Sequence, residues 1–386
     1  MDTCGYNWIQ LDKNAALDYL DTIGYNWIHV DKNMGIIMID ILKIVITPEM
    51  LSLIAEIDEF KGAWQLLGRL TPERLHQLKK VATIESVGSS TRIEGSKLSD
   101  QEIDKLLSNI KRHSFASRDE QEVAGYAYVC DEIFDSFDAI DLTENIIKQL
   151  HGWLLQYSDK DERHRGEYKK LSNSVEAFDP QGKSLGVIFE TSSPFETPLK
   201  MQDLIFWTRT QLEEKKLHPL LIIGIFTVIF LAIHPFQDGN GRLSRVLTTL
   251  LLLRAGYVYV PYSSLESFIE RNKESYYLAL RKTQRSLKTE NPHFEPWLIF
   301  FLRMLQKQKI HLEKKITREK MTLMYMPELS AQIMQLLQEH GKLGVTDITT
   351  MTGAHRSSVK KHLAKLVQAG SIAQLGKGKA TWYMLP

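Results

Sequence analysis

The twelve residues from His234 to Arg245 read His-Pro-Phe-Gln-Asp-Gly-Asn-Gly-Arg-Leu-Ser-Arg, and they bring together a base, a carboxylate, a glycine-bracketed amide loop and two guanidinium groups. That set suits a phosphate ester. Gly239 and Gly241 have no side chain to hold a ligand off, so the N–H groups around Asn240 can turn towards an anion, assisted by the positive end of the helix that follows. Arg242 and Arg245 are three apart and share one helix face, from which both forked donors can reach phosphate oxygens. Asp238 is short and placed to hold a magnesium ion that bridges phosphates. His234 is then free to act as a base. Each part alone is more often structural, but their coincidence around one turn points to chemistry. No Lys-Ser or Lys-Thr follows the glycines, which excludes a Walker P-loop, and helix rather than strand precedes them, which excludes a dinucleotide fingerprint.

Positioning such a loop needs two helices and a break. Leu220 to Ile233 is almost wholly apolar and predicts a buried helix; Pro235 ends it, and a new helix is expected to start near Asn240. From about Thr71 to Lys307 the apolar spacing is mainly helical, with segments over Gln121 to Phe137, Thr143 to Gln156 and Leu199 to Glu214. Lys183 to Thr191 alternates after the turn Asp179-Pro-Gln-Gly182 and predicts a hairpin strand. The charged stretch Lys307 to Lys320 predicts a connecting helix ending before Pro327. The first ~75 residues carry a two-copy repeat, Gly5 to Asn14 against Gly24 to Asn33, too short for a solenoid. The expected division is an extension over 1–75, a catalytic core over 76–306, a connecting helix over 307–325 and a separate module over 326–386.

That last module changes character. Ser330 to His340, Thr346 to Met351 and His355 to Ala369 predict three helices, and Ser371 to Leu385 short strands around Gly376 to Gly378: the pattern of a winged helix-turn-helix. It holds six Lys and one Arg against two Glu and one Asp, a net of +4, with Arg356, Lys360, Lys361, Lys365, Lys377 and Lys379 on the recognition helix and wing. DNA is one partner such a face fits; a second copy of the chain, giving a homodimer, or a docked target protein is the other.

Composition sets outer bounds. With 386 residues, 43% of them hydrophobic, the chain can bury more than one core, and its net charge of +1 gives no whole-chain argument for nucleic acid. Only Cys4 and Cys130 occur, which offers neither a disulfide framework nor a zinc spacing and suits a reducing cytoplasm. The apolar run Leu220 to Ile233 is shorter than the ~20 residues a bilayer needs, and Asp2 without a basic segment does not resemble a signal peptide, so no membrane partner is expected.

The His234 to Arg245 stretch resembles, at every fixed position, the His-x-Phe-x-(Asp/Glu)-Gly-Asn-Gly-Arg-x-x-Arg signature of Fic domain proteins, most of which transfer AMP from ATP to a hydroxyl side chain of a target protein. The resemblance implies a mainly α fold, a Fic-type helical bundle with a β-hairpin flap, here joined to the C-terminal winged helix-turn-helix. It implies that His234 deprotonates a Ser, Thr or Tyr hydroxyl, Phe236 anchors the loop and Asp238 binds Mg2+. By it, the amides of Gly239, Asn240 and Gly241 hold the α- and β-phosphates, and Arg242 and Arg245 address the phosphate tail. Ser90-Thr-Arg-Ile-Glu94-Gly95 resembles the inhibitory (Ser/Thr)-x-x-x-Glu-(Gly/Asn) motif, in which the glutamate pairs with the second arginine, here Arg245, and blocks the γ-phosphate. Gly166-Glu-Tyr-Lys and Val187 to Pro194 follow the family's turn and flap, and Tyr276 or Tyr277 matches a base-pocket tyrosine, though aromatics at helical spacing also build cores. The resemblance covers about Thr83 to Leu302. It implies an adenylyltransferase using ATP and Mg2+ on a target protein or on itself; the alternatives are a hydrolase removing AMP, with Glu94 positioning water, and a DNA-binding regulator whose Fic-like domain senses nucleotide.

Overall fold

Fourteen consecutive residues, Leu220 to Ile233, are all buried, so this helix is apolar on every side and the rest of the core is laid around it. The structure is a computed structural model that describes residues 44–66, 72–109, 115–178, 184–287, 289, 292–324, 327–376, 378 and 381–385. The N-terminal repeat, the turn expected over Asp179 to Gly182, Lys377 and Lys379 lie outside these residues. Helices α1 (Pro48–Leu66), α2 (Pro72–Ile93), α3 (Asp100–Asn109), α4 (Arg118–Ser136) and α5 (Glu144–Leu154) precede an antiparallel hairpin of β1 (Ser174–Phe178) and β2 (Ser184–Glu190). Then follow α6 (Thr197–Glu214), the central α7 (Pro219–Ile233), α8 (Asn240–Arg254), α9 (Leu265–Arg271), α10 (Lys273–Ser286) and the long α11 (Glu295–Met324). Among the described residues no helix is long and apolar enough to cross a membrane.

Local chemistry sets the helix ends. Ser117 and Thr143 cap α4 and α5 by accepting from Glu120 N and Ile146 N, while Pro219 starts α7 behind the His218 cap. At its other end α7 stops on His234, whose backbone is left-handed at φ 53, with Pro235 next. α7 packs on α6, α8, α10 and α11, and α8 also meets α2, α4 and α5. Thr227 and Thr248 hydrogen-bond across the α7–α8 contact at 2.9 Å, and Trp297 of α11 donates its indole N–H to the Gly224 carbonyl at 2.7 Å.

Two boundaries differ from the sequence reading. Residues 48–66, placed in an N-terminal extension, form α1, which buries Met50, Leu53, Ile54, Ile57 and Phe60 at helical spacing and joins the core. Glu49 and Glu56 meet Arg303 and Gln306 of α11, and Asp58 accepts from the Tyr257 hydroxyl at 2.6 Å. The connecting helix expected over 307–325 is the distal part of α11, because no breaker separates the mostly buried stretch Trp297 to Leu305 from the charged residues after it. The strand expected over Lys183 to Thr191 is β2, which ends one residue short of Thr191; Lys183 lies outside the described residues.

The C-terminal module comprises α12 (Glu328–His340), β3 (Lys342–Gly344), α13 (Val345–Thr352), α14 (Arg356–Gln368), β4 (Ala373–Leu375) and β5 (Trp382–Met384), with sheet order β3-β5-β4. It has a core of its own, built on Ile333, Leu337, Leu343, Ile348, Val359, Leu363, Leu366, Ile372 and Tyr383. Gly353 closes α13 in the left-handed region. The three helices fall where the sequence placed them; β3 was not foreseen, since three residues give too short an alternation to read.

Candidate active site

The loop between α7 and α8 lies in a cleft of about 780 Å³ of open space, lined among others by Glu94, His234, Asp238, Gly241, Tyr276 and Tyr277. The loop is held by its own asparagine. Asn240 accepts from Phe236 N at 2.9 Å and donates to Phe236 O at 2.7 Å, so its amide closes the loop and is not itself offered to a ligand. Phe236 is fully buried and stacks on His151, 3.8 Å between ring centres, which gives it the anchoring place expected of it. Gly239 begins α8 at φ 79, a conformation that costs an L side chain and not glycine.

His234 is partly buried at the cleft. Its Nδ1 lies 3.4 Å from the Leu231 carbonyl, which can only accept, so the proton sits on Nδ1 and the Nε2 lone pair is free. Burial, and then the nearby Lys169 ammonium, lower its pKa to about 4. The imidazole is therefore neutral across the physiological range. A base with a lowered pKa loses activity only when pH falls to that value. The acid limb of kcat/KM for the reaction proposed below is expected to turn down near about pH 4, leaving the rate flat above about pH 5.5; a midpoint at about 6.5 would refute the assignment.

Asp238 is a carboxylate under strong local control. Burial works against its charge, but Arg242, the Gly239 amide and Arg118 outweigh it and hold its pKa below the ordinary value. Oδ1 accepts from Gly239 N at 2.6 Å and lies 3.3 Å from Arg242 Nη2; Oδ2 accepts from Arg118 Nη2 at 2.9 Å. The Gly239 amide is thereby taken. The first bond of the α8 ladder runs from Leu243 N to Gly239 O, so the amides of Asn240, Gly241 and Arg242 stay outside it and form the open end facing the cleft.

The two arginines differ in their commitments. Arg242 is 2% exposed and ion-pairs with Glu122 at 2.9 Å and with Asp238, bracing the loop from below. Arg245 is buried too, and donates Nε to Ser90 Oγ at 2.8 Å and Nη2 to Ser90 O at 2.9 Å and to Glu94 Oε1 at 2.8 Å. Glu94 follows the last residue of α2, and Gly95, at φ 111, turns the chain away. The Glu94 carboxylate also lies against Gly241, where an added Cβ would collide with Oε1. An acidic group thus already sits at the open end of α8, where a phosphate would come.

Tyr276 is buried among Tyr277, Trp297 and Phe300, and Tyr277 is the more open of the pair. Both line the cleft. Residues far from the motif complete the site, and no spacing along the chain marks them. Lys169, 3% exposed, donates to Asn173, Thr191 and the Ile233 carbonyl, and its own amide to Pro235 O; this ties both ends of the hairpin to the loop. Burial and then Lys200 lower its pKa to about 8. His151, also neutral with its pKa lowered to about 4 chiefly by burial, bonds Gly166 N and the Asp238 carbonyl. Arg92 grips Glu270 through Nε and Nη2 and Asp100 through Nη1, fixing the turn that presents Glu94.

Residues 141–252 match the Fic/DOC family, and residues 331–373 match the bacterial regulatory protein arsR family. The chain is 30% identical over 210 residues to the protein adenylyltransferase Fic of Drosophila yakuba, covering 53% of this chain and 38% of that protein. A probable protein adenylyltransferase of Aquifex aeolicus is 32% identical over 99 residues, 26% of this chain and 28% of that one. The chain thus spans about a third of the length of these curated relatives. Among solved structures, a Fic family protein from Desulfovibrio desulfuricans superposes with a TM-score of 0.58 at 23% identity, covering 89% of this chain and 97% of that one. A Fic domain containing signaling protein from Bacteroides thetaiotaomicron gives 0.55 at 23% identity over 67% of this chain and 95% of that one. The fold is that of these proteins: residues 141–252, with the motif around a closed, amide-ended loop, form a domain that matches the Fic/DOC family, and a winged helix-turn-helix stands at the C-terminal end.

Proposed function

We propose that the chain is a protein adenylyltransferase that transfers AMP from ATP to a hydroxyl side chain of a target protein, and that Glu94 restrains it. The observation that carries this reading is a neutral base, His234, in one cleft with the free amides of α8 and a carboxylate resting on Arg245 in place of an anion. The target hydroxyl attacks the α-phosphorus of ATP in line, His234 Nε2 takes its proton, and pyrophosphate departs. The amides of Asn240, Gly241 and Arg242 meet the charge that grows on the phosphate oxygens. Tyr277, the more open tyrosine, faces the nucleobase.

The residues fit a magnesium ion. Asp238 is ionised, and the described residues hold no group of three acidic, histidine or cysteine side chains; Mg2+ commonly takes one or two carboxylates and completes its shell with phosphate oxygens and water. Asp238 would hold it, and the ion would neutralise the phosphate chain. Two cysteines, with Cys130 buried and free, favour the cytoplasm. Incubation with ATP labelled on the α-phosphate and a protein extract tests the reading: covalent label on a protein is expected, and a mere nucleotide sensor would leave none. A hydrolase would instead strip AMP from a protein already modified, faster with Glu94 than without it.

For the C-terminal module we infer DNA contact through α14. Its apolar side, Val359, Leu363 and Leu366, faces the module's core, while Arg356, Lys360, Lys361 and Lys365 are exposed. DNA affinity of the full chain should fall steeply with salt, and replacing Lys360 and Lys361 by glutamine should reduce the log–log slope by about two. Binding that ignores salt, or none, would leave this face to a second copy of the chain or to the target protein.

A further inference from the structure

The geometry points to His151 as a positioning residue that sets the orientation of the Asp238 carboxylate from beneath the loop, an inference that rests on reading this cleft as a nucleotidyl-transfer site. His151 is 0% exposed and does not itself line the cleft. Its Nδ1 accepts from Gly166 N at 2.8 Å, and its Nε2 lies 3.0 Å from the Asp238 carbonyl oxygen. An amide N–H only donates and a carbonyl only accepts, so the two bonds together fix a neutral ring with its proton on Nε2. The ring also stacks on Phe236, 12° from parallel, and a Cβ on Gly239 would lie 3.5 Å from Nε2. One imidazole therefore supports Phe236 by stacking and Asp238 by a hydrogen bond, and stands where a side chain on residue 239 would meet it.

The effect passes through a single peptide plane. The Asp238 carbonyl and the Gly239 N–H belong to one planar unit and point in opposite directions. With the carbonyl fixed on His151, the N–H faces the other way, where it donates to Asp238 Oδ1 at 2.6 Å. His151 thus aims the amide that holds the carboxylate. Phe236 is separately secured by Asn240 and by Asn173, whose Nδ2 donates to its carbonyl at 2.9 Å, so the Asp238–Gly239 plane is the part of the loop that depends on His151.

The test compares His151→Phe, which keeps the stack and removes both hydrogen bonds, with His151→Gln, whose amide N–H can return the bond to Asp238. Both are made with Glu94→Gln so that transfer is measurable. A carboxylate displaced by about 1 Å should cost kcat tenfold to a hundredfold with KM for ATP changed less than about threefold, and glutamine should recover kcat to within about fivefold. Phenylalanine at the parent kcat, or phenylalanine and glutamine equally impaired, would overturn the assignment. Hydrogen exchange at the Gly239 amide gives a reading that needs no activity: exchange about tenfold faster with phenylalanine and close to parental with glutamine is expected, and unchanged exchange in both refutes it. If the Glu94→Gln parent transfers no label, the proposed function fails while the exchange measurement still decides the role of His151.

Discussion

Replacing His234 by alanine is expected to lower AMP transfer by about 10²- to 10⁴-fold, the usual cost of losing a general base, while leaving ATP binding within about threefold of the parent. The two effects separate because they use different groups. His234 would contribute a lone pair at Nε2, whereas phosphate affinity is proposed to come from Arg245 and the α8 amides, and among the described residues the His234 ring has no hydrogen bond other than the long contact to Leu231 O. The backbone of residue 234 stays left-handed, which costs alanine of order 1 kcal/mol in stability, so rates are to be compared on the folded fraction. Measuring single-turnover label transfer alongside calorimetric ATP affinity checks both halves. Transfer retained above about a tenth of the parent rate would show that another group takes the proton.

Removing the Glu94 carboxylate is expected to raise transfer by about 10- to 150-fold, the equivalent of the ~1.5–3 kcal/mol of a charge-assisted hydrogen bond. Glu94 occupies the Arg245 guanidinium and fills the space beside Gly241, so under the proposed reading it would oppose a phosphate twice over, and Glu94→Gly lifts both contacts. Glu94→Gln removes only the charge and should activate less. Because residue 94 lies past the last residue of α2, glycine there does not weaken a helix interior, and the gain reports the lost carboxylate. Label gain measured with label loss on the same target separates restraint from hydrolysis: under the hydrolytic reading both variants would slow the release of AMP. Unchanged labelling in both variants, with Arg245→Ala inactive, would remove Glu94 from its role and leave the loop's chemistry intact.

The parts of this site that could be read from sequence are those in which spacing alone carries the chemistry. His234 to Arg245 is contiguous, so the break, the glycines and the helix restart were visible, and the observed helix begins at Asn240 as expected. Ser90 to Gly95 was readable for the same reason. The supports were not. His151 stands 87 residues before Asp238, Lys169 64 before Ile233, and Arg118 120 before Asp238; a single histidine or lysine on a helix or turn has no periodicity that marks it as a loop support. Nor did the motif show that the Gly239 amide is taken by the neighbouring carboxylate, which depends on one peptide orientation. The α1 helix does carry a core-like stripe, yet nothing local distinguishes a helix docked on the core from one in a separate extension.

Glu94 is presented by the turn that follows the last residue of α2 and not by the helix itself. Three backbone bonds of 3.1 Å close that turn, from Glu94 N and Ser96 N to Thr91 O and from Gly95 N to Arg92 O. Terminal turns open far more cheaply than the fold as a whole, so the restraint proposed for Glu94 would leak at a rate set by how often this end frays, independent of global stability. Basal activity should then rise with a solute or temperature that loosens helix ends well before the protein unfolds. A partner that merely unwinds one turn could switch the enzyme on, leaving its core and its nucleotide cleft as they are.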